Sequence, residues 1–433
     1  MWWEIPDHLE VIKHTLYIGN HSTVELSKKY GTPLYVINAN RVKENYQRVF
    51  DSVQKHLKRK LQIHFAMKAH STLAVINLLK KLGSNIDAVS PFDVLAAEKV
   101  GFSKDRILFT GTSVTVEDMK TVLDKAIMNV DSMGQLERYA DLKEMRNFDP
   151  RISIRINPGK GAGHTPDCIT AGDDAKYGIP EHQALEAFEK ATELDLTPIG
   201  IHQHIGSGIL PPYISMFYEA AEKIMEIAGK VHKELGIDFE FIDLGGGIGI
   251  PYKKIDRPVD LESFGEKISE IVETKAEEYE LGDFILKLEP GRYIVGDSEI
   301  LLMSVVDVSD KYILELGVNG GFNVLDRPSR YKTYHEIVIA NKADLKPEKS
   351  YRVSGNLCES GDVFTENKHA QRKLPRTEVG DVLAILNAGG YGIVMASNYN
   401  MRPRPREIMI DNRRIKIIRE RENFEDLIRK QSL

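Results

Sequence analysis

Leu61-Gln62-Ile63-His64-Phe65-Ala66-Met67-Lys68 is an apolar run that ends in a charge, and Leu73, Ile76, Leu79 and Leu82 follow it at helical spacing. The stretch reads as a buried strand, a turn and an amphipathic helix. A lysine at the C-terminal end of such a strand stands where a barrel enzyme holds a reactive amine. Desolvation there is costly unless the ammonium is paired or covalently used, and it lowers the pKa toward a value at which the amine attacks a carbonyl. The plainer alternative is a lysine whose head reaches water at the strand end. The rest of the chain decides between the two.

The same unit recurs. Strand-like runs lie at Leu61 to Ala69, Asn85 to Ser90, Arg106 to Thr110, Ile127 to Asp131, Arg151 to Asn157, Pro198 to His204, Phe239 to Gly245 and Phe284 to Glu289, with helix-spaced stretches such as Phe217, Ala220, Ile224 and Ile227 between them. A doubly wound open sheet shares this alternation, but a count of eight favours a (β/α)8 TIM-like barrel. After Arg292 the texture changes to alternating β-branched segments at Ile300 to Val308, Tyr312 to Gly317, Glu336 to Ala340, Tyr351 to Val353, Val382 to Leu386 and Glu407 to Ile410. These predict a mainly antiparallel β-domain. Residues 1–38, with short strands at Thr15 to Ile18 and Pro33 to Ile37, are too few to fold alone and are expected to join it. The expected division is 1–38, a barrel over 39–282 and a β-domain over 283–433.

The 433 residues are 42% hydrophobic and 28% charged, which suits a globular chain, and a net charge of -6 gives no reason to expect nucleic acid or an anionic membrane as partner. No segment is apolar for long enough to span a bilayer. Two distant cysteines, Cys168 and Cys358, match no disulfide framework or metal site and fit a reducing cytoplasm.

The chemistry gathers at the expected strand ends. Strand seven runs into Asp243-Leu244-Gly245-Gly246-Gly247-Ile248-Gly249, where consecutive glycines let backbone N–H groups approach an anion; a plain tight turn is the alternative for an isolated run. Strand eight ends in Glu289-Pro290-Gly291-Arg292, a carboxylate that either keeps an aromatic nitrogen protonated or bridges to Arg292 across the turn. Strand six ends in His202-Gln203-His204-Ile205-Gly206-Ser207-Gly208, which sends His202 and His204 to one face and offers Ser207 to a phosphate oxygen; two histidines without a third ligand argue against zinc, and no metal is expected. A lysine for an imine, a glycine cradle, a carboxylate for a ring nitrogen and a histidine to lie over the ring together describe pyridoxal 5'-phosphate.

On these residues the chain resembles the fold-type III pyridoxal-phosphate decarboxylases, in particular their diaminopimelate branch. The likeness rests on Ala66-Met67-Lys68-Ala69, His204-Ile205-Gly206-Ser207, Gly245 to Tyr252, Glu289-Pro290-Gly291-Arg292, Cys358-Glu359-Ser360-Gly361-Asp362 and Gly389-Gly390-Tyr391-Gly392, matched in order over nearly the whole chain. It implies a homodimer with shared active sites. By residue it implies that Lys68 bonds the cofactor aldehyde and that His204 stacks on the ring. Ser207, Gly245, Gly246, Gly247 and Tyr391 hold the phosphate, Glu289 pairs with the ring nitrogen, and Asp87 and Arg155 support it.

The far end of the substrate separates members of this family. A distal carboxylate demands a cationic, preferably forked, partner. Asp326-Arg327-Pro328-Ser329-Arg330-Tyr331 resembles the Arg-Pro-x-x-Tyr element of the diaminopimelate branch. The resemblance implies Arg292 and Arg327 as the clamp, Tyr331 and Tyr391 as helpers, and Glu359 as the receiver of the distal ammonium. Surface arginines are the alternative. Cys358, supplied by the other subunit, is the candidate acid that returns a proton to the α-carbon, against a plain small hydrophobe. The expected reaction converts meso-2,6-diaminopimelate to L-lysine and CO2. The alternatives are a decarboxylase of ornithine or lysine, and a non-catalytic pyridoxal-phosphate carrier. His70, Gly208, Gly390 and Arg330 depart from the family pattern, and the segment Gly161 to Cys168, which resembles its lid after strand five, is atypical in detail.

Overall fold

The computed structural model describes residues 1–432. The chain forms two compact units, one of residues 45–250 and 257–293, the other of residues 1–44, 251–256 and those from Ile294 onward.

In the first unit eight parallel strands close into a barrel: β1 Leu61–Ala66, β2 Asn85–Ala88, β3 Ile107–Phe109, β4 Ile127–Val130, β5 Arg151–Asn157, β6 Thr197–His202, β7 Phe241–Asp243 and β8 Ile285–Leu288. β8 pairs with β1 and β4 with β5, so no edge is left in the ring. Helices follow the strands, among them Leu73–Lys81, Pro91–Val100, Ile214–Leu235 and Leu261–Glu278. Their starts are written locally. Ser90 accepts the Asp93 N–H and Pro91 opens that helix, while Asp260 accepts from Glu262 and Ser263.

An apolar cluster of Leu108, Ile127, Ile199 and Phe241 plugs the barrel, and Gly200 leaves room for it: a Cβ there would lie 2.3 Å from the Phe241 ring. Where the strands end, the interior turns polar. The boundary expected at 282 falls after Tyr293 instead, because β8 is laid between β7 and β1 and the chain stays in the barrel through it.

The second unit is built on the strand Glu299–Asp310, which pairs antiparallel with Leu34–Asn38, Leu314–Val318 and Val382–Ile385. Two pairings are parallel: Leu34–Asn38 with Arg406–Asp411, and Leu314–Val318 with Lys349–Ser354. Every residue of Leu34–Asn38 is buried, since the strand is inserted between two others from the far end of the chain. Strands at Leu9–Ile12, Arg372–Leu374 and Arg414–Arg419 add to those expected. Among the described residues no helix is long and apolar enough to cross a membrane.

Candidate active site

β1 ends one residue before a single 3-10 turn, Met67–Ala69, and this turn swings Lys68 off the strand line. Its Nζ donates to Asp87 Oδ2 at 2.7 Å; Asp87, one residue along from Ile86 in β2 and directly across from Ala66, is fully buried. The ammonium is therefore held by a carboxylate at the barrel mouth rather than left to solvent.

Register assembles the neighbours. His202 on β6 lies directly between Arg155 of β5 and Asp243 of β7, and Asp243 lies beside Lys287 of β8. His202 Nε2 is 3.3 Å from Glu289 Oε2, both groups buried. One ligand atom from each of His202, Asp243 and Glu289 falls within 4.8 Å of the others. Asp87 Oδ1, Asp243 Oδ2, Glu289 Oε1 and His202 Nδ1 are buried without a hydrogen-bond partner. Burial, and then Asp87, pushes the Glu289 carboxyl far above its usual range; burial, and then Glu289, raises Asp243. Burial lowers His202 to about 4. Although Lys68, Arg155 and Lys287 bring positive charge nearby, each of the three buried carboxyl groups keeps one oxygen without a donor. A protonated aromatic nitrogen supplies such a donor, so the residues fit a pyridine ring set against Glu289.

The glycines after β7 are required by contact. A Cβ on Gly245 would lie 2.3 Å from the Gln203 carbonyl, and one on Gly246 would lie 2.1 Å from that of Glu289. Gly245 and Gly247 have φ of 72° and 128°. Among the described residues the amides of Gly246 and Gly247 are given to no protein acceptor. Beside this loop Ser207 Oγ accepts from Arg292 Nε and Nη2 at 3.2 and 3.1 Å. Free amides, a hydroxyl and a guanidinium make an anion cradle, so the residues fit a phosphate as well as a ring. Arg292, expected at the far end of the substrate, lies here with Ser207.

His204 is buried, and burial with the charges of Lys68 and Arg155 lowers its pKa well below the ordinary value. Thr170 touches it, a residue without periodicity or motif in the sequence to mark it. Asp243 is equally legible in the sequence, at the strand end just before the glycine run, yet carries no role in the reading of it above. Gly208, atypical for the family, is explained by His164: a Cβ would lie 2.4 Å from its Nδ1.

The remaining expected residues belong to the other unit. Arg327 opens the helix Arg327–Tyr331 and is 1% exposed, with Nη1 donating to the Tyr252 hydroxyl at 2.8 Å and to His335 Nε2 at 3.1 Å. Arg327 is thus no surface arginine. Arg330 is exposed and paired along its helix with Asp326. Tyr331 is half-buried. Cys358 and Glu359 are exposed, on a turn whose shape Asp362 sets by accepting the Phe322 and Leu357 amides at 2.7 and 2.8 Å. Tyr391 holds φ of 60°, an uncommon conformation for a residue with a Cβ.

Residues 43–296 match the family model of the pyridoxal binding domain of pyridoxal-dependent decarboxylases. The diaminopimelate decarboxylase of Methanothermobacter thermautotrophicus is 45% identical over 97% of this chain and 96% of its own length. The chain belongs to the diaminopimelate decarboxylase family. A crystal structure of the family's enzyme from M. jannaschii superposes with a TM-score of 0.86 at 32% identity, covering 99% of this chain and 98% of that one. The Helicobacter pylori enzyme, solved in complex with L-lysine, gives 0.83 at 33% identity over 94% and 98%. The expected barrel and mainly antiparallel β-domain are the fold of this family, and its members are pyridoxal-dependent carboxy-lyases.

Proposed function

We propose that the chain removes one carboxylate of meso-2,6-diaminopimelate as CO2 and leaves L-lysine. The observation that carries this reading is the donor-poor acid cluster of Asp87, Asp243 and Glu289 beside the Lys68 amine and the glycine cradle. Pyridoxal 5'-phosphate, once bound, supplies an electron sink for the pair left when a carbon–carboxylate bond breaks.

The residues divide the work. Lys68 Nζ would hold the cofactor through its aldehyde, and Asp87 steadies the charge of the amine. Glu289 would keep the ring nitrogen protonated, His204 would pack on the ring, and Arg155 balances the buried acids. The amides of Gly246 and Gly247, Ser207, Arg292 and Tyr391 would bind the phosphate. Arg327 meets the distal carboxylate, with Tyr331 on the same helix beside it, and Glu359 takes the distal ammonium. Cys358 Sγ returns the proton to the α-carbon. Cys358 and Glu359 are exposed in a single chain, and the Cys358 amide donates to Asn400, whose neighbours Tyr399 and Met401 are exposed too; this supports a homodimer in which each subunit lends this turn to the other's site. Both cysteines are free thiols, as a reducing cytoplasm keeps them.

The test is CO2 release by purified protein with added cofactor from meso-diaminopimelate, L-lysine and L-ornithine. Turnover of diaminopimelate alone is expected. Turnover of ornithine or lysine with diaminopimelate inert overturns the substrate.

A further inference from the structure

The loop after β5 is bound to the segment that follows β6 on both of its sides. Ala162 and Thr170 donate their amides to the Ile205 carbonyl at 3.0 and 3.3 Å, His164 donates to the Ser207 carbonyl at 3.1 Å, and Ser207 donates back to Cys168 at 3.0 Å. Gly206, with φ of 150°, permits the approach: a Cβ there would lie 1.8 Å from the Ala162 carbonyl. At its base the loop is tied by Asn157, whose side chain accepts the Gly159 and Gly172 amides and donates to the Gly172 carbonyl.

One side chain of this loop enters the site. Thr170 Oγ1 is 2.9 Å from His204 Nδ1 and 2.9 Å from the His204 carbonyl oxygen. A hydroxyl carries one proton and two lone pairs, and a carbonyl oxygen only accepts. If Oγ1–H goes to the carbonyl, Nδ1 must be the protonated nitrogen and donate to Oγ1. Nε2 is then the nitrogen with the lone pair. Burial and the nearby Lys68 and Arg155 charges keep the imidazole neutral, so this choice between two tautomers is a real one.

We infer that Thr170 is a positioning residue: through its two hydrogen bonds it fixes the ring plane of His204 and its Nδ1–H tautomer, and it does so only while the loop lies on the β6 segment. The Nε2 lone pair is thereby presented, in a set direction, to the charged groups at the barrel mouth. Loop docking and the readiness of His204 become one event. Only the kinetic consequence of this inference rests on the proposed function; the tautomer does not.

The experiment compares Thr170→Val, which keeps the shape and removes the hydroxyl, with Thr170→Ser, which restores it. Holoenzyme carrying 15N-histidine is read by NMR for the His204 ring nitrogens, assigned with a His204→Gln control. The visible circular dichroism of the bound cofactor, kcat and KM are recorded in parallel, with thermal unfolding to establish that each variant is folded. The wild type and Thr170→Ser should show Nδ1 protonated. Thr170→Val should show a mixed or Nε2–H ring, an altered dichroism band and kcat lowered about tenfold with KM changed by less than about twofold, the size of one lost hydrogen bond to a positioned group. A Thr170→Val protein with the wild-type tautomer and dichroism overturns the inference whatever its activity. So does a Thr170→Ser protein that behaves like Thr170→Val. An inactive wild type with the Nδ1–H ring would overturn the decarboxylase reading and leave the inference standing.

Discussion

Glu289→Gln should change how the cofactor-free protein responds to pH, in a window the buried groups define. A carboxyl group whose folded pKa lies above its unfolded value keeps its proton in the fold after the unfolded chain has lost it. Folded stability therefore declines as pH rises from the unfolded to the folded pKa. Glu289 is such a group, moved by burial and Asp87 from 4.5 to about 8. The buried histidines act in the opposite sense, but only below their unfolded value of 6.5, as do His202 and His204. Lys287, lowered by burial to about 8, adds stability only above that pH. Between pH 6.5 and 8 the carboxyl groups act alone. At about 1.4 kcal/mol per pH unit and proton, Glu289 accounts for a loss of about 2 kcal/mol across this window, and Asp243 adds a smaller part. The amide that replaces the carboxyl group carries no such proton. The assay is urea unfolding of both proteins, stripped of cofactor, at pH 6.5 and pH 8, with the midpoints converted through the unfolding slope. The wild type should weaken by about 2 kcal/mol, and the variant by no more than the Asp243 share. Equal losses in the two proteins would refute the claim that burial and Asp87 hold a proton on Glu289.

Gly206→Ala places a methyl group 1.8 Å from the Ala162 carbonyl; thermal unfolding should show the loop's loss as a destabilisation of about 2 kcal/mol or more, with the cofactor released on gel filtration. Arg327→Ala removes a buried donor to Tyr252 and His335, and kcat/KM for diaminopimelate should fall by about 10- to 100-fold, the worth of a charge-assisted contact; an unchanged value would return Arg327 to a structural role. Lys68→Ala and Cys358→Ala, each inactive alone, should recover about a quarter of wild-type activity when mixed and reassembled, because half of the dimers then carry one complete site. No recovery, in subunits shown to exchange, speaks against shared sites.

The barrel was legible because burial on both faces gives parallel strands continuous apolar runs, and because each run ends where a polar side chain takes its place at the mouth. Lys68, His204 and Glu289 are visible by that position, whereas Asp87 and Arg155 lie inside their strands and are marked only by the family resemblance. What escaped has physical causes. Leu34–Asn38 and Arg406–Asp411 pair across most of the chain length, a partnership no local pattern records. Arg414–Arg419 is a charged strand at the end of the sheet and lacks a buried face to mark it. Thr170 lies in an irregular loop, where its role depends on a contact with His204 rather than on periodicity. The domain boundary falls later than expected because β8 is followed at once by the second unit, with no linker composition between them.

The most direct test of the account is borohydride reduction of the holoenzyme, followed by peptide mapping of the reduced cofactor. The barrel holds two lysines that answer differently: Lys68 at the mouth, paired with Asp87, and Lys287, buried over the Phe241 ring with its pKa lowered to about 8. The adduct should lie on Lys68 alone. An adduct on Lys287, or on any other amine, would contradict the reading of the barrel mouth as the place where this chain does its chemistry.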